Sequence, residues 1–186
     1  MPKYPLLAAL GSLWFAGSLL AQDTNALPRT RLEAFETNTG TILIKGFGSI
    51  GSLAAGGKTI TVSCREDIDA SSGSREYGVA VGIRGQVGLE ERVILDYEEL
   101  DPILNAIDYL NRVDWTITSL TSFDAAFTTR SGFRISAFGW NRTGLIEFGI
   151  RGLRADEPPI LFTRDDLAKF RGLIDEAKRK LDSVRK

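Results

Sequence analysis

Gly46-x-Gly48-x-x-Gly51 stands directly after the apolar run Thr41-Ile42-Leu43-Ile44-Lys45. This is the spacing with which a glycine-rich turn brings backbone amides up to a pyrophosphate. That chemistry needs a helix to begin at the third glycine. Here only Ser52 to Ala55 precede the breaker Gly56-Gly57, and a strand pattern follows. Gly56-Gly57-Lys58-Thr59 has the ending of a phosphate-binding loop, yet position 52 is Ser where the spacing demands Gly, and no helical pattern follows Lys58. Both stretches read as a glycine-rich connection ending in a hairpin loop. The acidic pairs Asp96-x-x-Glu99 and Thr163-x-x-Asp166 could serve as catalytic carboxylates. Each sits where a strand pattern gives way to a helical one. An N-cap side chain followed three residues later by an acid is a helix start, and the dipole favours charge there. Cys64 shares a strand face with Ile60 and Val62 and reads as a small buried hydrophobe.

The absences carry more weight. The chain has no histidine and a single cysteine. That removes the usual general base, the triads built on it, the partner that would activate Cys64, and nearly all transition-metal sites. The reading is a non-enzymatic protein with no cofactor and no metal. Arg84 and Arg151 are the sharpest binding candidates. They occupy equivalent places in the repeated Gly-Ile-Arg-Gly of residues 82–85 and 149–152. Symmetry could bring them to related positions on one surface, where guanidinium forks take carboxylate or phosphate. The plainer alternative is a pair of solvated strand-end arginines facing neighbouring acids. Phe138 and Trp140 fall on the face opposite Phe133 and Ile135, and an outward aromatic pair there would form a contact patch. If both sheet faces are covered, the same two rings are core.

The elements that position these residues come in two copies. From the Gly-Ile-Arg-Gly onward the copies keep one spacing without a gap. Val93-Ile94-Leu95 matches Ile160-Leu161-Phe162, Glu98-Glu99-Leu100 matches Asp165-Asp166-Leu167, and Ile103, Ala106 and Ile107 match Phe170, Leu173 and Ile174. Alternation of period two marks strands at Lys58–Cys64, Glu76–Arg84, Phe133–Phe138 and Leu145–Arg151, with short ones at 41–45, 92–96 and 160–162. Residues 65–74 read as a polar loop, and Trp115–Leu120 with Phe123–Thr129 as one bent strand. Leu100, Ile103, Leu104, Ile107 and Leu110 mark one helix face; Leu167, Phe170, Ile174, Ala177 and Leu181 mark another. Each half is thus four strands and a helix, and one helix per half covers an apolar sheet face. The fold expected is α+β: internally duplicated ββββα units, antiparallel sheets, and two helices packed near a pseudo-twofold axis.

Two tandem units of this kind over residues 40–183, with helix openings Tyr97-Glu98-Glu99-Leu100 and Arg164-Asp165-Asp166-Leu167, resemble the Whirly family. That family joins two copies of a single-stranded-DNA-binding coactivator fold in one chain. The resemblance implies the fold and, as an alternative function, single-stranded nucleic-acid binding. The family's lysine-rich DNA-binding stretch has no counterpart here, so no binding residue is carried over.

Residues 1–21 have the form of a secretory leader: Lys3, an apolar stretch from Leu6 to Leu20, and a small residue, Ala21, before Gln22-Asp23. Its removal deletes one basic residue and moves the net charge from −1 to −2. A near-neutral domain has no electrostatic footprint for nucleic acid or anionic membrane. Residues 22–39 read as a linker and 40–186 as one pseudo-symmetric domain, with repeats at 40–113 and 114–186. Asn141-Arg142-Thr143 is a glycosylation sequon. The expectation is an exported bacterial binding or assembly module, periplasmic or extracellular. It would act through a sheet face or the cleft between repeats, on another envelope or secreted protein or on a second copy of itself.

Overall fold

The computed structural model describes residues 27–85, 90–140, 143–154 and 157–185. The expected leader and part of the sequon lie outside the described residues. A short helix, α1 (Arg31–Glu36), precedes the first antiparallel sheet, β1 (Leu43–Ala55), β2 (Lys58–Asp69), β3 (Arg75–Arg84) and β4 (Glu91–Asp96). A 3-10 turn leads into α2 (Leu100–Asn111). The second sheet is β5 (Ser122–Thr128), β6 (Arg134–Trp140), β7 (Leu145–Arg151) and β8 (Ile160–Phe162), followed by α3 (Arg164–Val184). The class is α+β, built from duplicated ββββα units. Both long helices bury the residues their periodicity marks. No described helix is long and apolar enough to cross a membrane.

Each half lends its helix to the other. α2, from the first half, lies against β5 and β6, while α3, from the second, runs along β1, β2 and β3. The Cys64 thiol on β2 donates to the Ala177 carbonyl of α3 at 3.4 Å. Phe170 of α3 places its ring 6.0 Å from Phe133 and from Phe162. The helices also touch each other, and Arg171 grips Asp108 with two parallel bonds of 2.6 and 2.8 Å. One continuous apolar cluster therefore draws residues from both sheets and both helices. The halves bury their apolar faces against one another in one core, as the repeat predicts; the periodicity of a helix says which face is buried, and the structure adds whose sheet buries it.

The glycine-rich connection is a strand. β1 runs through Gly46, Gly48 and Gly51, with a bulge between Ser49 and Gly51, and the turn is confined to Gly56 and Gly57, both at positive φ. Gly51 is small because α3 crosses it: a Cβ there would lie 2.8 Å from the Leu173 side chain. β2 extends through Asp69, because Arg65, Glu66 and Asp67 pair with both neighbouring strands. Trp115–Ile117 is a 3-10 turn rather than strand, capped by the Asp114 carboxylate accepting from the Thr116 amide at 2.8 Å. The linker contains α1, whose capping box joins Thr30 and Glu33.

The gap-free match between copies hides a slide. Leu95 stands opposite Val79, whereas its counterpart Phe162 stands opposite Phe148, the counterpart of Val81. β8 is displaced by two residues against β7, and an even shift keeps Ile160 and Phe162 facing the core.

Candidate functional site

The two sheets differ on their outer faces. α1 covers the β2–β4 part of the first sheet's outer face. Its Leu32, 1% exposed, packs on Ala80 and Ile94, and its amides at Arg31 and Leu32 donate to the Asp96 carboxylate at 2.9 and 3.1 Å. Beneath it, Arg65 pairs with Asp67 and Glu36. Burial pushes the Asp67 carboxyl up. Burial also pushes on Glu36, but its bonds to Lys45 and Arg65 outweigh that and hold it below the usual range. Among the described residues nothing plays the part of α1 on the second sheet.

Alternation turns Asp124 of β5, Arg134, Ser136, Phe138 and Trp140 of β6, and Glu147, Gly149 and Arg151 of β7 to that open face. The ladder sets Arg134 opposite Arg151, Ser136 opposite Gly149, and Phe138 between Asp124 and Glu147. The result is a dish of about 640 Å³, walled by Phe138 and Trp140 at one end and by Arg151 at the other, with the Arg134 side chain reaching along it to Asp124. The rings meet edge to face, centroids 5.8 Å apart, and Trp140 is 52% exposed. Arg134 is held by Asp124 at 2.6 Å. The volume falls in the range of small-molecule sites, with aromatic walls and a few polar groups.

Three of the four sequence candidates, Phe138, Trp140 and Arg151, thus share one cavity. Arg84 does not line it. It ends β3 with its side chain 64% exposed and pairs with Glu90 at 3.3 Å, the solvated arrangement named as its alternative. Ser136, Arg134 and Asp124 were not singled out by sequence. The period-two alternation that put Phe138 outward puts Arg134 and Ser136 beside it, so the signal for these two was present.

The other candidates have structural roles. Cys64 is 5% exposed, and burial pushes its thiol up to about 11, far from a nucleophile. Thr163 and Asp166 exchange the two bonds of a capping box at the start of α3. Glu99 accepts from the Asp96 amide and, across the halves, from the Arg130 amide at 2.7 Å. The Asp96 carboxylate, besides its capping box with Glu99, accepts from the first amides of α1. Gly46, Gly48 and Gly51 lie inside β1, where no helix begins to receive a phosphate. No protein-family model matches the chain, and no curated protein matches it.

Proposed function

We propose that this protein is a non-enzymatic binding module, exported as its leader pattern suggests, and that it works through the open outer face of its second sheet. The observation that carries this reading is the difference between the two faces: α1 covers the β2–β4 part of one, and the other, with no such helix among the described residues, presents exposed aromatics around a dish of about 640 Å³. The thiol and the acidic pairs that could have done chemistry are spent on packing and capping. A thermal-shift screen of small organic compounds tests it. Ligands that raise Tm are expected to lose their effect in Phe138→Ala/Trp140→Ala and to keep it in Phe47→Ala, which removes an exposed aromatic on the first sheet. Stabilisation that survives the double substitution, or chemical turnover of a ligand, overturns the reading.

The rival is single-stranded nucleic-acid binding, by likeness to the Whirly family. It draws on the same face, where two rings and two arginines lie together. Asp124 and Glu147 among them weigh against a polyanion. Tight binding of oligothymidylate that weakens steeply with salt would favour the rival.

A further inference from the structure

Three features of the dish narrow its occupant. Arg151 stands opposite Arg134 across β6 and β7. The Arg134 side chain runs along the face to Asp124, two rows on, and leaves Arg151 its own end of the dish. Asp124 answers Arg134, and no carboxylate among the described residues answers Arg151. One row along, Ser136 is 6% exposed, lines the cavity, and makes no hydrogen bond to a described residue. Its hydroxyl opens into the dish, where a ligand's polar group can bond it. Beyond it the Phe138–Trp140 corner offers flat apolar surface to solvent. Rows on one strand face are roughly 6.6 Å apart, so the cation, the hydroxyl and the aromatic corner form a line of roughly 13 Å.

Resting on the open-face reading, we infer that the dish binds a small organic monoanion: a flat apolar ring joined through a polar link to one carboxylate. The ring lies against Phe138 and Trp140, the link bonds the Ser136 hydroxyl, and the carboxylate takes the Arg151 fork. A guanidinium matches a carboxylate with two parallel bonds. One unanswered cation calls for one negative charge. Glu147, beside Phe138, repels any more.

N-(2-naphthoyl)glycine carries this pattern, and its primary amide differs only in lacking the charge. Both are titrated calorimetrically into the full chain. The acid is expected to bind at least about tenfold more tightly than the amide, the size of a hydrogen bond to a charged group. Arg151→Gln should abolish that preference, Ser136→Ala should weaken both compounds, and Phe138→Ala/Trp140→Ala should lose both, with unfolding midpoints checked for each variant. The acid-against-amide comparison on the unaltered protein needs no variant to fold. Equal binding of acid and amide, lost in the double aromatic variant, overturns the inferred charge and leaves the open-face reading standing. A preference that survives Arg151→Gln does the same. Binding that ignores the aromatic pair, or no binding of either compound, overturns both.

Discussion

Truncating Phe170 to alanine tests the exchange of helices. The ring is fully buried and touches Phe133 and Phe162 of the second half. Two turns further along the same helix, Ala177 receives the Cys64 thiol of the first. Removing a buried phenyl ring costs about 3–5 kcal/mol, against a total stability of about 5–15 kcal/mol for a domain. In separate halves that loss would stay in the second. With α3 packed on both, it should reach the first sheet in full. Urea unfolding is followed by two reporters in protein beginning at Gln22. Fluorescence of Trp115 and Trp140 reports the second half, and labelling of Cys64 by a thiol reagent reports the first. In the unaltered protein the two midpoints should coincide. In Phe170→Ala both should fall together, by the shift that a loss of about 3–5 kcal/mol of unfolding free energy produces. A fluorescence midpoint that drops while Cys64 labelling holds its place would refute the shared core.

Further outcomes follow from single contacts. Asp96→Ala leaves the part-buried amide of Arg31 and the buried amide of Leu32 without an acceptor; it should cost about 1–3 kcal/mol and speed hydrogen exchange across α1. Glu91→Ala removes the carboxylate that accepts from the Leu153 and Arg154 amides of the other half; those two amides should exchange faster while β6 keeps its protection. Stability should fall on the acid side. Hydrogen bonds from Arg171, Thr163 and Tyr97 hold Asp108, Asp166 and Asp182 below their ordinary range. Their contribution is complete above the unfolded value of about 4 and is lost as pH falls through the lower folded values. Asp67, raised by burial, has the opposite sign. Unfolding midpoints measured from pH 7 to pH 2 should therefore be flat and then decline; a midpoint that rises on acidification would contradict these assignments.

The strands and both long helices were legible because their burial follows from period two and period 3.6 within one segment. What the sequence hid depends on partners far along the chain. Gly46 to Gly51 has the composition of a loop, and only the passage of Leu173 over Gly51 explains a strand with so little side chain. Arg65 to Asp67 looks solvated because each residue is charged, yet Arg65 and Asp67 answer each other under α1. Trp115-Thr116-Ile117 has strand-favouring side chains, and one local bond from Asp114 overrides them. The Thr30-x-x-Glu33 pattern of α1 was available to sequence reasoning. The candidate site was half legible. Alternation placed Phe138 and Trp140 outward, but only the ladder reveals that Arg151 meets Arg134 and that Arg84 stands apart.

The repeated glycines show how one motif came to serve two purposes. Where a side chain at Gly82 would stand, the Glu90 carboxylate and the Thr61 hydroxyl lie. At Gly149 an added methyl carbon would stand 3.2 Å from Pro159, 3.4 Å from the Ile160 carbonyl and 3.5 Å from the Phe138 ring. The first copy uses the space for a flexible polar latch and the second for the wall of the dish. An added methyl should then have unequal effects. Gly82→Ala displaces the Glu90 carboxylate and the Thr61 hydroxyl, neither of which lines the dish, and should leave binding of N-(2-naphthoyl)glycine unchanged. Gly149→Ala crowds Pro159, which lines the dish, and fills the space against which the Phe138 ring lies. A strand alanine recovers about 0.5–1 kcal/mol over glycine, which offsets part of the crowding. Stability should therefore change little while affinity for the probe falls. Equal affinities for the two variants, measured by the same titration, would mean that the dish does not depend on Gly149 for its shape.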